Sequence, residues 1–453
     1  MAFLALCIAS NFLLSQADNW GGVESTAAQA TRFSFSSAVL HLKHAWLFGG
    51  VMQDENHQSY HPQLRCFDIE KEQWKEVAPK NSPKGRYGHS AIVTPSGKMW
   101  IYGGGIMDVE TQQDKLATEL VYIGLKEGAT SESWSQVQPE KKPKDRVFHT
   151  AVYYEGFMWI FGGAMKGLAS GPDNTFVNDV HAFDIEAHSW SEISCEGQKP
   201  APRQAHSAVI GADGRMWVYG GNAMSGGPPT DSAFFKDLHV LDLNKKSWSK
   251  VETAGFLPGL LFHHASVMDA AGRLWLVGGV AFGQQQYSGN AYFLDTTLAD
   301  DSWHGVPEFN DTANPDAPPL DKMASRAIIE SSGKIWVFGG MRSQGHASKK
   351  DWTIYWLDSN APKPTSSTTP TSPTSSTTST SPTSSTTSTS PSSGDGSKAT
   401  GGGNAGVVII VILLLLALGG GGVFFFVHRR RNLRLLQEVH EPRQIEIGEL
   451  RRA

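Results

Sequence analysis

The eight residues 97–104, GKMWIYGG, decide how this chain folds. They open on the Gly of a tight Ser-Gly turn, run through alternating apolar side chains and stop at a Gly-Gly pair. The phrase returns as AWLFGG, MWIFGG, MWVYGG, LWLVGG and IWVFGG. The pairs are Gly49-Gly50, Gly103-Gly104, Gly162-Gly163, Gly220-Gly221, Gly278-Gly279 and Gly339-Gly340, spaced 54 to 61 residues apart. Three residues before each pair stands a tryptophan: Trp46, Trp100, Trp159, Trp217, Trp275 and Trp336. A fixed period of this length marks one supersecondary unit per copy.

Working outward from the pair defines that unit. Upstream lies an alternating run such as HSAIVT or HTAVYY, joined to the Trp strand by an SG, EG, DG or AG turn. Downstream, after a variable stretch, come LRCFDI, LVYIGL, HAFDI, HVLDL, AYFLD and IYWLD. A second tryptophan in a W-x-x-[VI] frame then follows most copies: Trp74, Trp134, Trp190, Trp248 and Trp303. Each unit therefore reads as four short strands, a to d. Such units stack radially because one alone cannot bury both of its faces. The tryptophans are large enough to fill the space between neighbours.

Residues 20–358 resemble the kelch repeat, in the galactose oxidase central-domain-like superfamily: Gly-Gly after an apolar strand, a later aromatic before Asp, then Trp. The resemblance implies an all-β, six-bladed propeller over 18–358. The sixth copy ends at YWLDSN without a W-x-x-[VI] strand of its own. The N-terminal stretch 19–23, NWGGV, supplies a spare one through Trp20 and Val23. It is expected to pair with residues 353–358 and close the ring.

Strand alternation sends the b–c and d–a connections to one mouth. The b–c stretches are long and dissimilar, and variable loops on a rigid scaffold are where binding usually resides. The same mouth receives Arg86 with His89, Arg146 with His149, Arg203 with His206, and His264 in the fifth copy. Ser36 and Ser325 take the His position in copies one and six. Arg and His at a channel mouth suit an anionic group such as a carboxylate, and kelch relatives use this mouth for acidic peptides. R-x-x-H-[ST]-A is also repeat consensus, and these side chains would equally serve to satisfy backbone groups between units.

No catalytic residue, metal site or cofactor is assigned. His57 and His61 lie four apart beside Asp54 and Glu55, but in a loop that spacing does not select a metal. Galactose-oxidase-like copper enzymes need a Tyr–Cys cofactor and a Tyr/His copper set, which cannot be placed around Cys66 or Cys195. A kelch-type sialic-acid epimerase would draw on Arg86, Arg146, His149 and Glu119, and no spacing demands it. The chain has 453 residues and a net charge of −5, with −9 falling on residues 18–358. An acidic domain with no basic stripe argues against nucleic acid as a partner.

The flanks point to a membrane. Residues 1–17 resemble a signal peptide, with Ser15 and Ala17 before a cut at Asp18, though no Lys or Arg precedes the apolar stretch. Residues 359–404 are a Ser/Thr/Pro-rich stalk in which SPTSSTTST occurs twice. Residues 405–427 carry no charge and are long enough for a transmembrane helix. The Arg-rich tail 428–453 then reads as cytoplasmic. Asn310-Asp-Thr312 is a glycosylation sequon. The reading is a single-pass type I plasma-membrane protein whose propeller binds a protein or glycan. The alternatives are an endomembrane location, a carbohydrate-active ectoenzyme, and a tail-anchored protein with a cytosolic interaction domain.

Overall fold

The computed structural model describes residues 20–360 except 25–32, 54–57, 109–112, 127–131, 166–174, 225–232, 282–285, 288–289, 299–300, 307–321 and 343–351. The leader 1–17, the stalk beyond residue 360, the span 405–427, the tail 428–453 and Asn310 lie outside the described residues. Among the described residues there is no α-helix, and none is long and apolar enough to cross a membrane.

The alternating runs form antiparallel sheets in the order a-b-c-d. Sheet 1 comprises Ser37–His41, His44–Phe48, Leu64–Asp68 and Gln73–Lys75. Sheet 2 comprises Ser90–Val93, Lys98–Tyr102, Leu120–Gly124 and Ser135–Val137. Sheet 3 comprises Thr150–Tyr154, Phe157–Phe161, Val180–Asp184 and Ser189–Glu192. Sheet 4 comprises Ser207–Ile210, Arg215–Tyr219, Leu238–Asp242 and Ser247–Val251. Sheet 5 comprises Ala265–Met268, Arg273–Val277, Ala291–Asp295 and Ser302–Val306. In sheets 4 and 5 a short parallel strand, Glu196–Gly197 or Ala254–Gly255, covers the d edge. Covering an edge removes its unpaired N–H and C=O groups as a template for other chains.

Sheet 6 takes strands a to c from Arg326–Ile329, Lys334–Phe338 and Trp352–Asp358. Its outer strand is Trp20–Glu24, from the other end of the chain, antiparallel to Trp352–Asp358. Trp20 lies opposite Leu357, the residue before Asp358. Trp190 opposite Phe183, Trp248 opposite Leu241 and Trp303 opposite Leu294 keep the same register. The a strands touch in cyclic order, each on the next and sheet 6 on sheet 1.

The core is divided among the gaps between sheets. Trp46 and Trp134 fill the gap between sheets 1 and 2, Trp100 and Trp190 the next, and Trp159 and Trp248 the one after. Trp217 and Trp303 lie between sheets 4 and 5, Trp275 between 5 and 6, and Trp336 between 6 and 1. Each strand-b tryptophan faces the following sheet, whose strand-d tryptophan packs on the aromatic residue just before the Gly-Gly pair: Trp134 on Phe48, Trp190 on Tyr102, Trp248 on Phe161, Trp303 on Tyr219 and Trp74 on Phe338. Two large rings per gap explain why the Trp frame repeats.

Candidate functional site

The mouth is built in two tiers. In the outer tier, the segment entering each a strand pairs with the chain leaving the Gly-Gly pair. Phe33–Ser34 joins Val51–Gln53 and Gln58–Tyr60; Arg86–Tyr87 joins Gly105–Asp108 and Gln113–Leu116. Leu261–Phe262 joins Val280–Ala281 and Gln286–Tyr287, and Lys322–Met323 joins Met341–Arg342. Sheets 3 and 4 make the same join through single bridges at Val147, Ala164 and Phe176, and at Gln204, Asn222 and Phe234. Several b–c stretches are thus hairpins anchored at their bases. The first two are linked where the Tyr60 hydroxyl donates to Asp114 at 2.7 Å. Burial raises the Asp114 carboxyl above its usual range.

Beneath this collar the backbone forms a closed ring. The amides of Gly88, Phe148, Ala205, His263, Ala324 and Phe35 each donate to the carbonyl of the preceding member, the last three bonds running His263 to Ala205, Ala324 to His263 and Phe35 to Ala324. All six residues have φ between 54° and 61°. The left-handed conformation carries a steric penalty for five of them, since only Gly88 lacks a Cβ. Neighbours on both sides hold each one there. On the axis, the rings of Phe35, Phe148 and His263 meet edge-on at 4.9 to 5.5 Å and plug the ring.

The candidate arginines lie below the collar and are fully enclosed. Arg146 donates to both oxygens of Asp179 (2.7 and 2.9 Å) and to the Gly162 carbonyl (3.0 Å). Arg203 repeats this with Asp237 (2.7 and 2.9 Å) and Gly220 (3.0 Å). Arg86 pairs with Glu119 and reaches the Gly103 carbonyl. Each arginine ties the entry of its a strand to the end of its b strand and the start of its c strand. Against the opposing effect of their own burial, the carboxyls of Asp179 and Asp237 are held well below the usual range by hydrogen bonds from Arg146 and His181 and from His239 and Arg203. Sequence reasoning did not pair these groups. The acids sit 33 or 34 residues downstream, each just before a c strand, and that regularity was the available signal.

The candidate histidines link adjacent sheets. His89 bonds Ser37 Oγ (2.8 Å), His149 bonds Ser90 Oγ (2.7 Å), His206 bonds Thr150 Oγ1 (2.9 Å) and His264 bonds Ser207 Oγ (2.7 Å). Burial drives all four imidazoles far below their ordinary pKa, to about 3 for His149 and His264. They are neutral hydrogen-bonding groups at physiological pH.

The Gly-Gly pair serves this same junction. A Cβ on Gly103, at φ +67°, would stand 2.6 Å from the Arg146 carbonyl oxygen and 2.9 Å from His149 Cε1. Gly104 donates to that carbonyl at 2.9 Å. The repeat letters GG and R-x-x-H are therefore the two halves of one sheet-to-sheet contact. His61 Nε2 meets Ser59 Oγ at 2.9 Å, while His57 lies outside the described residues.

Known proteins share this architecture. Acyl-CoA-binding domain-containing protein 4 of Arabidopsis thaliana is 27% identical over 282 residues, covering 50% of this chain and 40% of that protein. Kelch repeat-containing protein 2 of Saccharomyces cerevisiae is 27% identical, covering 46% and 23%. N-(sulfonatooxy)prop-2-enimidothioate sulfolyase of Thlaspi arvense is 26% identical, covering 52% and 67%. The chain spans about two fifths of the length of the first curated relatives it matches. The solved structure of YjhT superposes with a TM-score of 0.52 at 14% identity, covering 71% of this chain and 94% of that one, a likeness of fold alone. The model of the KLHDC2/KLHL20/DRC7 Kelch-repeats domain matches residues 35–279, more than half of the chain. The protein belongs to that kelch-repeat family, and its described residues form a kelch β-propeller.

Proposed function

We propose that this protein is a non-enzymatic binding module, a six-bladed propeller whose b–c hairpins and d–a segments form a protein-binding mouth. One observation carries the reading. The enclosed arginines and histidines of the mouth are committed to carboxylates, hydroxyls and carbonyls of the protein itself, leaving the hairpins above them as the adaptable surface. On this reading Arg86, His89, Arg146, His149, Arg203, His206 and His264 hold the hairpins in place, and a ligand meets them only indirectly. A glycan is the alternative ligand class.

The flanking sequence extends the proposal. A cleaved leader, a glycosylated stalk and one membrane span would present the propeller outside the cell, with the basic tail in the cytosol. Two experiments decide these points. Glycosidase mobility shifts with protease protection of the full chain should show a glycosylated, protected propeller; an unglycosylated, cytosol-exposed one overturns the topology. Panning the displayed propeller against a peptide library should enrich sequences whose binding is lost when the 51–60 and 105–116 hairpins are shortened to tight turns. Sugar turnover abolished by His149→Ala at unchanged stability would overturn the binding role.

A further inference from the structure

The first two hairpins of the mouth share a carboxylate that differs from its neighbours. Asp114 lies on the returning strand of the second hairpin, directly opposite Met107. Strand alternation puts it on the same hairpin face as Leu116. Leu116 packs on the apolar cluster that floors the mouth, which also contains Tyr60 and Tyr87. Asp114 is turned toward that floor. The Tyr60 hydroxyl donates to its Oδ1 at 2.7 Å and the Tyr87 hydroxyl to its Oδ2 at 3.4 Å. The two phenol rings have their centroids 5.1 Å apart. A Cβ on Gly105 would stand 2.5 Å from the Tyr87 ring, so the glycine lets that ring lie against the hairpin.

What this cluster lacks is a cation. Glu119 pairs with Arg86, Asp179 with Arg146, Asp237 with Arg203 and Asp108 with Lys115. Asp114 pairs with no Lys, Arg or His among the described residues; its partners are two neutral phenols. Their hydrogen bonds leave the charge uncancelled, and burial raises the carboxyl above its usual range. An ionised carboxylate offers about four acceptor positions. The phenols fill two, and the others remain for donors from outside. Asp114 and Tyr60 are half-buried and reachable from the mouth, with Tyr87 enclosed beneath them.

These features select an organic cation. Ammonium and guanidinium groups bring the missing charge together with several N–H donors. Phenol rings beside the carboxylate add the attraction of their faces for such a cation. A single carboxylate is too few oxygen ligands for a hard metal ion. Met107 and Leu116, both half-buried on the Asp114 face, offer apolar surface to a methylene stem. We propose that Asp114, Tyr60 and Tyr87 form a subsite for an ammonium or guanidinium group, carried by a lysine or arginine of the bound partner. This inference rests on the reading of the mouth as a protein-binding surface and names one contact within it.

The test uses the full chain in a nonionic detergent, with ethylguanidinium and ethylammonium as probes read by saturation-transfer NMR. Wild type should bind at least one of them saturably, and ethylurea, the neutral analogue, should not compete. Asp114→Asn should weaken binding on the order of tenfold, the loss of a charge-assisted contact. Asp213→Asn, at a turn carboxylate paired with Arg215, should leave it unchanged. Absent binding, equal binding in Asp114→Asn, or competition by ethylurea overturns the subsite. Should Asp114→Asn fail to fold, Met107→Lys decides. It sets an ammonium opposite Asp114 and should abolish probe binding without lowering Tm; unchanged probe binding refutes the site. Panning a peptide library separates the two readings. Enriched peptides should carry a lysine or arginine, and that preference should vanish on Met107→Lys. Enriched peptides without a basic residue overturn the subsite and leave the mouth standing. Probe binding with no enriched peptide supports the subsite, with a free organic cation as its source, and overturns the protein-binding mouth.

Discussion

The junction between sheets 2 and 3 and the junctions around sheet 6 are built from the same frame by different means. At the first, His149 meets Ser90, Arg146 clasps Asp179, and Gly103 leaves room for both. Around sheet 6 the histidine is a serine, the arginine position is Lys322 or Phe33, and the outer strand is borrowed from the N-terminus. The first kind of junction is local and polar. The second is held by chain closure and by the apolar core between sheets 6 and 1, including Trp336, Phe338 and Phe67. A ring needs only one covalent break, and the break has been placed inside a sheet, where strand pairing bridges it.

Acid should separate the two kinds most. In the folded state His89, His149, His206, His263 and His264 are buried neutral, with pKa values of about 3 or well below the ordinary value. The unfolded chain takes up protons at these sites below its ordinary pKa of about 6.5, so stability falls as pH falls. Each site costs about 1.4 kcal/mol per pH unit in that window. Asp179 and Asp237, with depressed pKa values, add the same sign below about pH 4. Urea midpoints should drop steeply from pH 7 to 4.5, and hydrogen exchange should open sheets 2 to 5 before sheet 6. A flat profile would contradict the neutral, buried histidines.

Removing residues 19–24 should be the largest single lesion, at about 5 kcal/mol, since it strips five backbone pairs and leaves the ring open. Its mark is exposure confined to sheets 6 and 1 by limited proteolysis. Arg146→Ala should cost about 3 kcal/mol in urea unfolding, because the fully enclosed guanidinium and its bonds to the Gly162 carbonyl and Asp179 are lost and partly exposed Asp179 keeps only His181. Arg146→Met with Asp179→Leu should recover most of that loss. Gly103→Ala should cost about 2 kcal/mol, through its positive φ and the Arg146 carbonyl. By contrast Arg326→Gln should cost little, since Arg326 pairs with no carboxylate of the described residues, and a loss equal to that of Arg146→Ala would erase the distinction between the two arginines.

Much of this was legible in the sequence because period and hydrophobic alternation are local properties. The repeated Gly-Gly, the two tryptophan frames and their turns fix strands and order without reference to anything distant. The spare W-x-x-[VI] at Trp20 was readable by the same counting, and its register opposite Leu357 follows from it. What residues at the mouth do was not legible. R-x-x-H is compatible with ligand binding and with junction chemistry alike, and the choice depends on which groups face them across a gap.

The sequence by itself determined the repeat, the strands and where the two ends of the repeat region must meet, since each rests on side chains a few positions apart. Only the tertiary structure decided that Arg146 finds Asp179 while Arg326 finds no acid among the described residues, and that six left-handed residues bond head to tail around the axis. The Arg146–Asp179 pair closes within one sheet across 33 residues, and the ring closes across all six sheets. Charge pairing and ring closure depend on distance in space, which no local pattern encodes.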